Sequence, residues 1–101
     1  MYTSKRIEKV LEKVFGDEEK RVYFNGIRAE GLSFIFLDAV CSTDAKKLLQ
    51  ALNEEFTDEQ PLEGWRVVRG TRENVVTKEI PEEDILDTLE VRFIYSNWNN
   101  K

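Results

Sequence analysis

The sequence predicts an α+β fold: two layers, with a mostly antiparallel sheet of about four to six strands carrying an N-terminal helix and a second, central helix. Three observations carry this expectation. Leu32, Phe34 and Phe36 alternate with Ile35, Leu37 and Ala39, so both faces of one strand are apolar, as in the interior of a sheet. That strand runs straight into Ala45, Leu48, Leu49, Leu52 and Phe56 at helical spacing, which lays an apolar stripe across the sheet. Residues 4–15 repeat the helical pattern, and the apolar residues that remain alternate with period two.

In order along the chain, Ile7, Val10, Leu11, Val14 and Phe15 form one helix face, and Lys5, Glu8, Lys9, Glu12 and Lys13 the other. Thr3 or Ser4 caps the start, and Gly16 suits a left-handed C-terminal residue. Asp17–Lys20 reads as a charged turn. Within Arg21–Glu30, Asn25-Gly26 predicts a type I′ hairpin with Phe24 facing Ile27 and Arg21 facing Glu30. The alternative is one longer strand kinked at Gly26. Gly31 then permits a bulge or bend. Ser42 or Thr43 supplies the cap of the central helix, with Asp44 in its first turn. Thr57–Glu63 is a loop, Trp65–Val68 a short strand, Gly70–Asn74 a turn and Val75–Ile80 a returning strand. Pro81 with Glu82, Glu83 and Asp84 reads as a turn or a helical turn. Leu89, Val91, Phe93 and Tyr95 then form the buried face of a last strand, and Trp98 lies at a frayed or partner-bound end.

A chain of 101 residues with 41% apolar content makes one domain with one core, nucleated by two Trp, three Tyr and six Phe. Both charge signs are mixed through it, so order is expected. The net charge of −5 argues against a partner made of nucleic acid, which demands clustered Lys and Arg. No apolar run approaches the roughly 20 residues that span a bilayer, and no signal-peptide pattern is present, so the expectation is a soluble cytoplasmic chain. Cys41 is the lone cysteine and reads as a small buried hydrophobe. With no histidine in the chain, a catalytic thiol has no imidazole partner.

The same inventory excludes phosphate-binding glycine loops and an imidazole or thiolate metal site. Carboxylates remain. Asp38 interrupts an apolar strand, and Glu90-Val91-Arg92 imitates the acid-x-Lys triplet of metal-dependent nucleases. Arg does not give up its proton as that Lys does, and an Asp pointing to solvent is the simpler reading. No cofactor, metal ligand or catalytic residue is assigned, and an enzyme is not expected.

Charge segregation is more informative. Residues 54–63 hold five acids and no base, and residues 79–90 hold six acids and no base. Between them lie Arg66, Arg69, Arg72 and Lys78 with one acid, Glu73. Loops and a hairpin solvating themselves explain this plainly. The functional reading is a subunit with opposite-signed patches that docks on copies of itself, using Arg66, Arg69 and Arg72 against Asp58, Glu59, Glu82, Glu83 and Asp84. Trp98 is a candidate interface anchor; Trp65, beside Gly64, reads as core.

In order of elements the chain resembles bacteriophage tail terminator proteins. The resemblance rests on the helix Lys5–Phe15, on the strand that runs from Ser33 into the helix ending near Leu52, and on Gly64-Trp65-Arg66-Val67-Val68 leading to the closing strand Leu89–Tyr95. It covers most of the chain and implies an assembly role with no catalytic residues. It further implies a hexameric ring between the tail tube and the head-completion protein, in the virion or host cytoplasm. A competing reading is a small acidic inhibitor or immunity-type protein whose carboxylates occupy a nucleic-acid channel.

Overall fold

A computed structural model describes residues 1–16, 21–38 and 42–98 of the protein. Its elements are α1 (Ser4–Phe15), β1 (Val22–Ile27), β2 (Gly31–Phe36), α2 (Ser42–Glu55), β3 (Leu62–Arg69), a 3₁₀ helix (Glu82–Asp87) and β4 (Leu89–Tyr95). The four strands make one antiparallel sheet in the order β1-β2-β4-β3. The α+β class is as expected, with four strands. The expected turn at Asp17–Lys20 and the burial of Cys41 fall outside the described residues.

The main core lies between the sheet and the two helices. Ile7, Val10, Leu11 and Phe15 of α1 and Leu48 and Leu52 of α2 meet Leu32, Phe34, Phe36, Val91 and Phe93 on one sheet face. These large side chains are removed from water almost completely, each contributing about 1.5–3 kcal/mol. Phe34 packs edge-on against Phe93 at 5.6 Å between ring centres, and Phe15 against Phe36 at 5.7 Å. Thr3 caps α1, its hydroxyl accepting from the Arg6 N–H at 3.4 Å. Gly16 is right-handed (φ −56°, ψ −44°), contrary to expectation, because its N–H continues the helical ladder to the Glu12 carbonyl. In α2, Ser42 and Thr43 are already within the helix, and Asp44 occupies the first turn as expected.

The Asn25-Gly26 hairpin does not form; the longer strand does. β1 passes through this pair with a bulge between Phe24↔Phe34 and Gly26↔Ser33, and Gly26 takes φ 114°, a value only glycine adopts readily. The chain reverses instead at Ala29-Glu30, where Arg28 and Gly31 exchange backbone hydrogen bonds of 2.7 and 3.3 Å. Phe24 therefore stacks near Phe34 rather than Ile27, and the Arg21 N–H reaches Asp38 rather than Arg21 facing Glu30. The turn signal loses because the Asn25 side chain is buried and fully engaged inside the fold. Gly31 lies in regular β2, with no bulge; a Cβ there would sit 1.7 Å from the Phe93 carbonyl oxygen, so strand approach forbids a side chain.

The second sheet face is covered by an irregular strap, residues 70–81, and the 3₁₀ helix. Val75–Ile80 is not the expected strand. Val75 and Ile80 bury against Ile35, but the Val76 and Thr77 amides bond to the Asn25 carboxamide oxygen at 2.7 and 3.2 Å, in place of a strand ladder. Pro81 precedes the 3₁₀ helix, and Glu82, Glu83 and Asp84 fill its first turn. β4 is likewise not one-sided: Val91 and Phe93 face the helices, while Glu90 is buried under the strap. Among the described residues no helix is long and apolar enough to cross a membrane.

Candidate functional site

Position along the strands decides which polar groups share the second sheet face. Ser33 pairs with Arg92, Arg66 with Arg92, and Ile35 and Val68 with Glu90, so Ser33, Glu90, Arg92 and Arg66 all project away from the helices. The bulge adds Asn25 to the same face. The Asn25 carboxamide donates to the Ser33 hydroxyl at 3.1 Å and to the Asn74 carbonyl at 2.6 Å. Ser33 donates in turn to the Glu90 carboxylate at 2.5 Å, and Asn74 Nδ2 donates to its other oxygen at 3.0 Å. Arg92 closes the network, donating to Glu90 at 2.7–3.0 Å and also to Glu30.

Glu90 is wholly buried, and Arg92 exposes 18% of its side chain. Burial opposes the Arg92 charge, but its hydrogen bonds to Glu30 and Glu90 outweigh that and hold the guanidinium above its ordinary pKa. A buried carboxylate is tolerated only when paired and hydrogen-bonded, and here four side chains point at it or its partner. The triplet Glu90-Val91-Arg92 is thus a structural ion pair closing the sheet, and it lies apart from Asp38. Asp38 sits where β2 ends, accepting from the Arg21 N–H at 2.7 Å and pairing with its guanidinium at 3.7 Å. Among the described residues no group of three acidic or thiol ligands gathers as a metal site would require.

The expected docking residues lie on the surface, largely paired within the chain. Arg66 approaches Glu30 (3.6 Å), Arg69 approaches Asp87 (3.8 Å) and Arg72 approaches Glu82 (2.8 Å). The arginine stretch therefore lies beside the acidic ledge of the 3₁₀ helix, where Glu83 and Asp84 also sit. Asp58 and Glu59 form a separate acidic group, meeting the Met1 amine and, for Asp58, Arg6. Trp98 is half-buried and engaged in contacts of its own. Trp65 is half-buried and packs on the main core, as expected. Sequence reasoning missed Glu90, Ser33 and Asn25 as a unit. The available signal was a Ser in the middle of an apolar strand and an acid two residues before an Arg in another.

The two sheet edges differ. On the outer side of β1, Thr77 donates its hydroxyl to the Phe24 carbonyl, and the strap is tied to Asn25. β3 is the longest strand; at its start the Asn53 carboxamide of α2 bonds the Leu62 N–H and carbonyl at 3.0 and 2.9 Å, but from Trp65 to Arg69 its outer side receives no such cover from hydrogen bonds among the described residues. The Gly70 N–H bonds to the Thr88 carbonyl at 2.8 Å, and antiparallel ladders alternate. Hence Val68 and Arg66 bond to β4, whereas Trp65, Val67 and Arg69 turn their N–H and C=O groups outward. Between α1 and β1 a groove of about 270 Å³ is rimmed by Glu8, Glu12 and Glu79 over Leu11 and Phe15. No protein-family model, no curated protein and no solved structure matches this chain.

Proposed function

We propose that the chain is a non-enzymatic assembly subunit that works through contacts between folded surfaces, in the manner the tail-terminator resemblance implies. In that role it forms a ring on the tube end and joins it to the head-completion complex, in the virion or host cytoplasm. The observation that supports this reading is the unequal treatment of the sheet edges: β1 is strapped, and β3 keeps a row of outward backbone groups beside exposed Arg69 and Val67. An open edge of this kind is a template for another chain. The ionisable groups that resemble catalytic ones are held in internal hydrogen bonds, which leaves surfaces as the working part.

The acidic inhibitor remains the second reading. It is favoured by the groove rimmed by Glu8, Glu12 and Glu79, which suits a basic side chain of a partner. Sedimentation at several concentrations separates the two. A ring, or mass that rises with concentration, supports the assembly subunit; a monomer that titrates a basic nucleic-acid enzyme supports the inhibitor. Because exposed Arg69 and Arg72 already pair within the chain, their reversal to Glu leaves the fold intact. It weakens self-association, more at low salt than at high. Assembly unchanged in that variant removes the charge argument.

A further inference from the structure

We propose that β3 pairs antiparallel with β3 of a second copy of this chain, about a two-fold axis at Val67, fusing the two four-stranded sheets into one. This rests on the self-association proposed above and names one of its contacts, a closed pair from which a ring is built through other surfaces. β1 cannot serve as the partner edge, since Thr77 and the strap occupy its outer carbonyl. The contact is therefore between like edges, which is the geometry of a closed two-fold pair.

The register follows from two conditions. Residues directly opposite in an antiparallel pair share a sheet face, and the hydrogen-bonded ones must be those with outward N–H and C=O groups. Trp65, Val67 and Arg69 meet both conditions. Centring on Val67 sets Val67 against Val67 and Trp65 against Arg69 on either side, for about six inter-chain hydrogen bonds. Centring one residue earlier sets Arg66 against Arg66, a like-charge pair directly opposite, and makes about four. The bulge between Leu62 and Gly64 lies before this run, so Gly64–Arg69 stays regular. The axis at Val67 also explains its surface: it is 42% exposed on the helix-side face, and a second Val67 covers it. Arg69 is brought over the half-buried Trp65 of the other copy, an arrangement that favours a guanidinium on an aromatic face. Charge agrees as well. The start of β3 carries Glu63, with Asp58 and Glu59 in the loop before it, and its end carries Arg69, with Arg72 just beyond. Reversing one strand against the other brings each acidic start to a basic end.

The test is the mass of the full chain by sedimentation, for the wild type and for two Val67 variants. Val67→Pro deletes an outward N–H that β4 does not use, so the folded subunit is expected to persist, with an unchanged far-ultraviolet circular dichroism spectrum as the check. Val67→Lys sets two ammonium groups across the axis. Both are expected to raise the Kd of the pair at least tenfold, with the Lys variant recovering in high salt. In a third variant, Val67→Cys, the two thiols lie within bridging range, since hydrogen-bonded residues stand about 5.5 Å apart at Cα. Oxidation is expected to give a dimer linked through position 67 in peptide mapping. A wild type that associates while all three variants behave like it, with no 67–67 link, overturns the edge pairing and leaves the assembly role standing. A wild type that stays monomeric at every concentration overturns both.

Discussion

Replacing Glu90 by Gln tests whether a buried carboxylate holds the strap to the sheet. The change keeps the shape and removes the charge. If the amide nitrogen takes the place of Oε1, it faces Asn74 Nδ2 at 3.0 Å and Arg92 Nη2 at 2.9 Å; in place of Oε2 it faces Arg92 Nε at 3.0 Å and Ser33 at 2.5 Å. Either orientation sets donor against donor. Breaking one partner of a buried ion pair costs about 3–5 kcal/mol. Arg92 keeps Glu30 as a second partner, which places the loss at the low end, about 3 kcal/mol. For a domain of this size the melting temperature then falls by roughly 12–24 °C. Urea denaturation with an unchanged m-value measures the loss directly. Glu30→Gln is the control: Glu30 is 21% exposed on its side chain, and its replacement costs only about 1 kcal/mol. A double-mutant cycle of Glu90 and Arg92 should give a coupling of at least ~1.5 kcal/mol. Glu90→Gln within ~0.5 kcal/mol of the wild type, or a coupling near zero, would refute the reasoning.

Two further outcomes follow from the same geometry. Asn25→Ala removes the acceptor of the Val76 and Thr77 amides and the donor to Ser33, costing about 2–3 kcal/mol. Hydrogen exchange at Val76 and Thr77 should accelerate far more than at Phe93; equal protection in the variant would show that Val75 and Ile80 alone hold the strap. Tyr2 has its pKa pushed up to about 12 by burial, then by Tyr95, Glu59 and Asp58. The folded chain thus keeps this proton after the unfolded chain, with an ordinary phenol near pH 10, has released it. The stability it contributes is complete below about pH 10 and is lost as pH rises toward 12. Tyr2→Phe should flatten that loss while giving up the hydrogen bond to the Gln60 carbonyl, about 1 kcal/mol at neutral pH. A tyrosinate absorbance titration that shows no group shifted upward, or a variant with the same alkaline slope, counts against it.

Amphipathic periodicity was enough to place α1 and α2, and β-alternation enough to place β2 and β4, because those signals are repeated over many residues and each residue adds burial energy in the same direction. Pro81 and the three acids after it likewise marked the short helix from local chemistry alone. What the sequence left open was every choice made between distant segments. Whether Asn25-Gly26 turns the chain depends on Ser33, Asn74 and Val76, and a local turn preference of small size yields to a buried side chain with all its hydrogen bonds made. Whether Val75–Ile80 is a strand depends on the same Asn25 taking its amides. Glu90 reads as a solvent residue by alternation, and only the strap laid across the sheet turns it into a buried ion pair. The arginines at 66, 69 and 72 were legible as a basic stretch, but their pairing with Glu30, Asp87 and Glu82 required the fold to bring those acids near. Local periodicity is written in neighbouring residues and survives reading one dimension at a time; strand order, edge exposure and polar partnership are properties of segments that meet only when the chain has folded.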